Sequence, residues 1–108
     1  MRTLRQLLES MSEPLTENKI QEAMASLPGW GFADDTISKT YRFSSFTEAI
    51  GFITEMAFAC ERANHHPELT NVYSTVTIRL STHDAGGKVT EKDIDLAGKI
   101  EKLAKKRG

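Results

Sequence analysis

Apolar residues recur at two different periods along this chain, and the period separates predicted helices from predicted strands. Steps of three and four residues are typical of helices that bury one face, and they occur over residues 1–12, 16–27, 45–63 and 90–104. Alternation of apolar and polar residues is typical of half-buried strands, and it occurs over residues 37–43 and 72–80. A short segment at 30–33 completes a predicted hairpin with 37–43, because Asp34 and Asp35 between them suit a turn.

Hydroxyl residues mark where three of the helices begin. Thr16, Ser45 and Thr90 each stand just before a helical pattern, where a side-chain oxygen caps the first turn. Ser45 and Glu48 have the spacing of a capping box, and so do Thr90 and Asp93. For Asp93, helix capping is the favoured interpretation on spacing alone.

Long apolar stripes predict that two of these helices contact a hydrophobic core. The predicted core positions of the helix over 45–63 are Phe46, Ala49, Ile50, Ile53, Met56, Ala57 and Cys60. Those of the last helix are Ile94, Ala97, Ile100, Leu103 and Ala104. A shorter N-terminal stripe, which predicts packing on the domain or on a partner subunit, comprises Leu4, Leu7, Leu8 and Met11. We therefore expect a helical extension over residues 1–13 and one domain over residues 14–108.

The segment 72–80 is the clearest strand in the pattern. Val72, Val76, Ile78 and Leu80 alternate with less apolar residues, so one face is predicted to be buried and the other open to solvent, ligand or a partner. Helices interspersed with antiparallel strands in this order predict an α+β fold. A long strand with an open edge often pairs across a dimer axis, so we expect an oligomer.

The composition disfavours several classes of protein. The chain has 108 residues, which suits one domain, and a net charge of −1. Proteins that neutralise nucleic-acid phosphates usually carry a basic excess, so direct nucleic-acid binding is not expected. The single cysteine, Cys60, lies on an apolar stripe and has no intrachain disulfide partner. No apolar run is long enough to span a membrane, and no signal peptide is recognisable, so we expect a cytoplasmic protein.

Candidate chemistry centres on the three histidines. His65 and His66 follow the long helix, and His83 follows the strand over 72–80. Histidine is the side chain that titrates nearest neutral pH, so three of them near carboxylates suit general acid–base catalysis. Isolated histidines are also often ordinary polar residues, and three of them could bind zinc with an open position. The metal alternative is disfavoured, because adjacent residues such as His65 and His66 usually point in different directions.

These residues resemble the signature of a known family, the pterin-4a-carbinolamine dehydratases. The run from Glu61 to Pro67 reads Glu-Arg-Ala-Asn-His-His-Pro, and Tyr73, His83 and Asp93 follow at the family's spacing. The resemblance spans about residues 15–104. Supporting segments are Leu27-Pro28-Gly29-Trp30, residues 39–46 and Ser81-Thr82-His83.

The resemblance implies an α+β fold with a four-stranded antiparallel sheet, helices packed on one face, and a sheet extended across a homodimer, often paired into a homotetramer. It implies that the three histidines gather in a pocket for the pterin ring and that neither a cofactor nor a metal is needed. The implied reaction is dehydration of 4a-hydroxytetrahydropterin to quinonoid dihydropterin, a hydro-lyase step in tetrahydrobiopterin recycling.

The resemblance also implies roles for individual residues. His65 and His83 take the main proton-transfer and binding roles, and His66 is the alternative acid. Glu61 and Asp93 are expected to hold neighbouring histidines in their charged form. The further implied contacts of the pterin are Asn64 and the backbone of Ser81, Thr82 and Asp84.

A second class of function stays open at this point. Animal members of the family bind a transcription factor as dimerisation cofactors, and a molybdopterin-related role on the same fold is conceivable. The chain is then a pterin- or partner-binding accessory protein rather than an enzyme. A pterin-dependent hydroxylase is a further candidate partner.

Overall fold

Four strands form one antiparallel sheet in the order β1-β2-β4-β3, so the predicted α+β fold class is confirmed. The computed structural model describes residue 1 and residues 3–107, without the side chains of residues 8–10. The elements are α1 (Leu4–Met11), α2 (Glu17–Met24), β1 (Gly31–Ala33), β2 (Thr36–Arg42), α3 (Phe46–Ala63), β3 (Glu68–Val72), β4 (Thr75–Leu80), a 3-10 turn (His83–Ala85) and α4 (Glu91–Lys106). Among the described residues, no helix is both long enough and apolar enough to cross a membrane.

The three predicted helix caps form. The side-chain oxygens of Thr16, Ser45 and Thr90 each accept a backbone N–H from the first turn of the following helix. Thr90 and Asp93 form the complete capping box that their spacing predicts. At Ser45 the side chain caps the helix, while the Glu48 carboxylate accepts a hydrogen bond from an arginine just after α4.

The prediction of one continuous strand over residues 72–80 is wrong. The chain instead forms a hairpin in which Val72 of β3 lies opposite Thr75 of β4, with Tyr73 and Ser74 as the turn. Tyr73 has a φ of 54°, and the amide of Asn71 donates to the carbonyls of Tyr73 (3.1 Å) and Thr75 (3.0 Å). A side-chain amide therefore holds this turn, which contains no glycine to signal it in the sequence.

The turn also changes which face one of the apolar residues occupies. Val76, Ile78 and Leu80 are fully buried, as the alternation predicts. Val72 lies beyond the turn and is 55% exposed. The apolar alternation runs on through residues 73 and 74, where the chain reverses. The sequence pattern therefore shows one strand where the structure has two, β3 and β4.

Helix α3 (Phe46–Ala63) is apolar on two faces. Ala49, Met56 and Cys60 are buried as predicted, and so is Phe52, which the predicted stripe omitted. The prediction that Phe46, Ile50 and Ala57 lie against the core is wrong, because these residues are exposed. Phe58, another large apolar residue of α3, is 63% exposed. We call these four residues the outer face of α3.

One carboxylate joins α4 to the sheet. Glu101 Oε1 accepts hydrogen bonds from Lys39 Nζ (2.8 Å), the Tyr41 hydroxyl (2.5 Å) and Trp30 Nε1 (3.3 Å). Trp30 is 6% exposed and belongs to the hydrophobic core. Burial raises the pKa of Glu101, but the hydrogen bonds from Lys39 and Tyr41 and the Lys39 charge outweigh it, and the net shift is downward.

One arginine joins the end of α4 to α3. Arg107 donates from Nε to Glu55 (2.7 Å) and from Nη1 to Glu48 (2.8 Å). Its guanidinium occupies the space beside Gly51, since a Cβ on Gly51 would lie 2.9 Å from Nη1 and Nη2. A glycine inside α3 therefore leaves room for this contact.

Helix α1 forms where the N-terminal stripe predicts it. Leu4 is 73% exposed and Leu7 is 46% exposed, so neither is buried against the domain. Leu7 and Met11 line a shallow groove together with Pro14 and Leu15. The side chain of Leu8, the remaining member of the stripe, lies outside the described residues.

Candidate active site

The end of α3 sets the direction of the first histidine. Asn64 ends the helix in the left-handed conformation, with φ 49° and ψ 45°, which asparagine adopts more readily than most residues. The backbone N–H of His65 then bonds the carbonyl of Cys60 at 3.1 Å. His65 therefore leaves the helix at a defined angle, and Asn64, a predicted pterin contact, lies exposed beside it.

His65 meets a carboxylate from a different part of the chain. Its Nε2 lies 2.5 Å from Oδ1 of Asp93 in the first turn of α4. The side chain of His65 is 11% exposed and that of Asp93 is fully buried. Asp93 therefore lies inside the domain and contacts the imidazole at Nε2.

The second oxygen of Asp93 accepts two further hydrogen bonds. Oδ2 receives the hydroxyl of Thr82 (2.8 Å) and the backbone N–H of Thr90 (2.8 Å). The N-terminus of α4 also favours negative charge at this position. An ionised carboxylate only accepts hydrogen bonds, so Nε2 of His65 carries the proton of their contact. The other ring nitrogen, Nδ1, is then the one that can exchange a proton with a ligand.

Thr82 brings the second histidine to the same region. His83 directly follows Thr82 and begins the 3-10 turn, with its own side chain exposed. The backbone N–H of Thr82 bonds the carbonyl of Lys88 (2.8 Å), and its carbonyl accepts from Ala85 (3.0 Å) and Gly87 (3.1 Å). Because the Thr82 side chain binds the partner of His65, one residue links the segments that carry His65 and His83. Ser81 and Asp84, two predicted pterin contacts, lie on the same segment.

Gly86 and Gly87 form a turn after this segment. Both have positive φ values, 75° and 76°, which glycine adopts without strain. The turn returns the chain from the 3-10 segment to Thr90, so that α4 begins beside Thr82.

His66 points to a different place. Its Nε2 lies 2.9 Å from Glu61 Oε1, and the two side chains are 61% and 76% exposed. Both line a mostly apolar groove whose other walls include Met56, Cys60, Pro67 and Leu69. The contacts therefore divide the predicted site residues into two groups: His65, Asp93 and Thr82 in one, and His66 and Glu61 in the other.

Cys60 and Tyr73 are two further residues that the sequence singled out. Cys60 is 3% exposed, as predicted, and burial followed by the charge of Glu61 raises the pKa of its thiol. Tyr73 is 83% exposed at the β3–β4 turn. Over the part of the chain that the structure describes, no group of three or more His, Cys, Asp or Glu side chains is arranged to hold a metal ion.

Sequence reasoning missed the side chain of Thr82. It was expected to contact the pterin through its backbone, whereas its hydroxyl lies 2.7 Å from that of Thr90 and donates to Asp93. The eight-residue separation of the two threonines carries no periodic signal, so only the tertiary structure reveals this contact.

Comparison with known proteins gives a consistent result. The model of the family described as pterin 4 alpha carbinolamine dehydratase matches residues 13–103. A protein of Opitutus terrae, provisionally named as a pterin-4-alpha-carbinolamine dehydratase, is 53% identical over 90 residues, which cover 83% of this chain and 93% of that protein. A provisionally named relative from Rhizobium leguminosarum is 51% identical over 98 residues, covering 89% of this chain and 96% of the relative.

Two solved structures share the fold. A Brucella melitensis protein described as a transcriptional coactivator/pterin dehydratase has a TM-score of 0.81 and 37% identity, over 85% of this chain and 99% of that one. A pterin dehydratase-like RuBisCO assembly factor of the alpha-carboxysome has a TM-score of 0.57 and 21% identity, over 69% of this chain and 86% of that one. The second likeness concerns the fold alone. On the strength of the family model and the curated relatives, this chain belongs to the pterin 4 alpha carbinolamine dehydratase family.

Proposed function

We propose that this protein dehydrates 4a-hydroxytetrahydropterin to quinonoid dihydropterin by general acid–base catalysis, as a step in tetrahydrobiopterin recycling. The observation that carries the proposal is the contact of His65 with the buried Asp93, 2.5 Å between Nε2 and Oδ1, beside the segment that presents His83. A buried carboxylate that orients an imidazole is the arrangement that makes a histidine an effective proton-transfer group.

The reaction needs one acid and one base. The C4a–O bond breaks, and the oxygen leaves as water after it takes a proton from an imidazolium. The electron pair of a ring N–H bond forms the new C=N bond, and its proton goes to a base. The enzyme therefore gives one proton and receives one, and such assistance typically contributes about 10²–10⁴-fold to the rate.

His65 and His83 are the residues we assign to these transfers. Asp93 holds the Nε2 proton of His65, so Nδ1 exchanges the proton and Asp93 stabilises the imidazolium that forms. The exposed His83 can approach a ligand from the neighbouring segment. His66, paired with Glu61, remains the alternative acid.

The remaining predicted contacts surround this pair. Asn64 precedes His65, and Ser81, Thr82 and Asp84 flank His83. Their backbone groups offer donors and acceptors of the kind that pair with the edge of a pterin ring. This assignment rests on the family resemblance together with the position of these segments.

Stopped-flow absorbance of chemically generated 4a-hydroxytetrahydropterin tests the proposal. Purified protein, treated with a chelator, is expected to accelerate its decay, and His83→Ala is expected to reduce the acceleration to near background. Lys99→Ala serves as the matched control, because Lys99 is an exposed residue of α4 that pairs with Asp95 at 3.1 Å. An unchanged rate for folded His83→Ala contradicts the assignment of His83, and no acceleration by the unmodified protein contradicts the activity itself.

The outer face of α3 favours association with another protein surface. Phe46 is 57% exposed, Ile50 40% and Phe58 63%. Clusters of large exposed apolar residues usually mark an interaction surface. Strand β3 (Glu68–Val72) lies at the edge of the sheet, with Leu69 39% exposed. We propose that further copies of this chain cover these surfaces, giving a homodimer or homotetramer.

Light scattering at micromolar concentration tests this assembly. The unmodified protein is expected to have a mass of at least two chains, and Phe58→Glu is expected to reduce it. Lys102→Glu, an exposed α4 substitution that introduces the same side chain, is the control. A strictly monomeric mass of the unmodified protein contradicts the assembly and leaves another protein as the occupant of the outer face.

A further inference from the structure

A directed chain of hydrogen bonds ends on the carboxylate beneath His65. Thr82 donates its hydroxyl proton to Asp93 Oδ2 at 2.8 Å. A hydroxyl has one proton, so the 2.7 Å contact between the two threonine hydroxyls must be donated by Thr90. The oxygen of Thr90 in turn accepts the backbone N–H of Lys92 at 3.2 Å. The direction of every bond in this chain is thereby fixed, from the helix backbone through two hydroxyls to the carboxylate.

All three side chains are removed from water. Thr82 is 4% exposed, and Thr90 and Asp93 are fully buried. Water cannot replace a lost hydroxyl here without space being made for it. Each hydrogen bond in this chain therefore matters more than an equivalent bond at the surface.

The two oxygens of Asp93 have different partners, and this difference sets the carboxylate plane. Oδ2 is held by Thr82 and by the Thr90 backbone, which leaves Oδ1 directed at His65. The terminal torsion of an aspartate is broad when nothing restrains it. Without the Thr82 hydroxyl, one of the two donors that hold Oδ2 is lost.

We propose that Thr82 is a positioning residue that acts on both histidines of the site. Its hydroxyl acts through Asp93 to hold His65 in one orientation and in the Nε2–H tautomer. Its backbone holds the turn that begins at His83, through the bonds to Lys88, Ala85 and Gly87. One residue thus fixes the relative placement of two proton-transfer groups that lie 18 residues apart in the chain. The kinetic part of this inference rests on the proposed dehydratase function, and the tautomer part does not.

Two substitutions separate the hydroxyl from the shape of the side chain. Thr82→Val removes the hydroxyl and keeps the branched shape, whereas Thr82→Ser keeps the hydroxyl. Ring-nitrogen NMR of ¹⁵N-histidine-labelled protein reports the His65 tautomer without any substrate. We expect a single Nε2–H tautomer in the unmodified protein and in Thr82→Ser, and a mixture of tautomers in Thr82→Val. Thr82→Ala is the substitute if Thr82→Val does not fold.

Kinetics supply the second readout. A positioning role predicts that Thr82→Val lowers kcat by about tenfold to a hundredfold while KM changes by less than about threefold. Thr82→Ser is expected to restore most of kcat.

Each outcome decides the inference. A Thr82→Val protein that melts at lower temperature but keeps the single tautomer and its kcat has lost only stability, and the inference is then overturned. If the tautomer changes while even the unmodified protein shows no dehydratase activity, the proposed function fails and the positioning role of Thr82 stands.

Discussion

His65 and Asp93 lie 28 residues apart in the chain, and their side chains meet at 2.5 Å between Nε2 and Oδ1. The contact joins the end of α3 to the beginning of α4. It also combines two ordinary features, a residue just beyond a helix terminus and a helix-capping carboxylate, into one hydrogen-bonded pair.

Replacing Asp93 by asparagine tests this pair. The amide keeps the size of the side chain but cannot accept hydrogen bonds at both terminal atoms. We expect the dehydration rate to fall by about a hundredfold or more, because His65 loses its defined tautomer. Stopped-flow kinetics give the rate, and circular dichroism shows whether α4 still forms.

Asp95→Asn is the matched control, since Asp95 lies two residues further along α4 and pairs with Lys99 at the surface. It is expected to leave the rate unchanged. Equal losses in the two variants would show that the effect comes from α4 rather than from His65.

The lowered pKa of Glu101 predicts that part of the folded protein's stability is lost in acid. Its pKa is lowered in the folded state from the ordinary value of 4.5. A group whose folded pKa is depressed stabilises the fold above its unfolded pKa, and this contribution disappears as the pH falls through the folded value. We expect Glu101→Gln to lower the free energy of unfolding by about 1–2 kcal/mol at neutral pH. Below about pH 4.5, we expect acid to lower the free energy of unfolding less in Glu101→Gln than in the unmodified protein.

Denaturant unfolding measures this effect, with Trp30 fluorescence as the signal, because Trp30 is the single tryptophan and contacts Glu101 directly. Glu22→Gln, an exposed change of the same kind on α2, is the control. If the free energy of unfolding depends on pH in the same way in the unmodified protein and in Glu101→Gln, the role of Glu101 in acid stability is contradicted.

The close approach of Arg107 to Gly51 predicts that substitutions at these two positions have non-additive effects on the free energy of unfolding. Glycine to alanine inside a helix usually stabilises it by about 1 kcal/mol, but here the added Cβ would meet the guanidinium at 2.9 Å. When Arg107 is present, we expect Gly51→Ala to raise the free energy of unfolding little or to lower it. When Arg107 is replaced by alanine, we expect Gly51→Ala to stabilise the protein by about 1 kcal/mol.

A double-mutant cycle by urea unfolding measures this coupling. The same gain from Gly51→Ala in both backgrounds would show that Arg107 does not occupy the space beside α3 in solution.

The burial of Cys60 predicts that its thiol reacts slowly in the folded protein. The thiolate is the reactive form, and burial together with the charge of Glu61 raises the pKa of this thiol. We expect the native protein to react with a disulfide reagent at least about tenfold more slowly than the urea-unfolded protein. Absorbance of the released thiol measures both rates, and equal rates would mean that the end of α3 opens readily.

The elements that the sequence predicted well are those set by local chemistry. Thr16, Ser45 and Thr90 cap their helices where short-range spacing placed them, and Asp93 completes the box with Thr90. Capping involves residues within one turn, so the sequence contains the whole interaction. The family resemblance supplied the four-stranded sheet, which the alternation alone did not.

Other features depend on contacts between distant residues. The β3–β4 hairpin is held by the side chain of Asn71, whose role depends on the finished turn. The outer face of α3 cannot be separated from its core face by counting apolar residues, because both faces contain them. The bonds of Asp93 to His65 and Thr82 cross 28 and 11 residues of sequence, so spacing rules do not reach them.

The dual position of Asp93 affects how activity can be judged in related proteins. The same carboxylate starts helix α4 and contacts the imidazole, so a relative that is not a dehydratase would still be stabilised by keeping it. Its presence is therefore weak evidence that a relative is an enzyme. The side chain of His83 is exposed and caps no helix, so its loss would leave the fold intact. We expect His83 to be the better marker for separating dehydratases from relatives that retain only the scaffold.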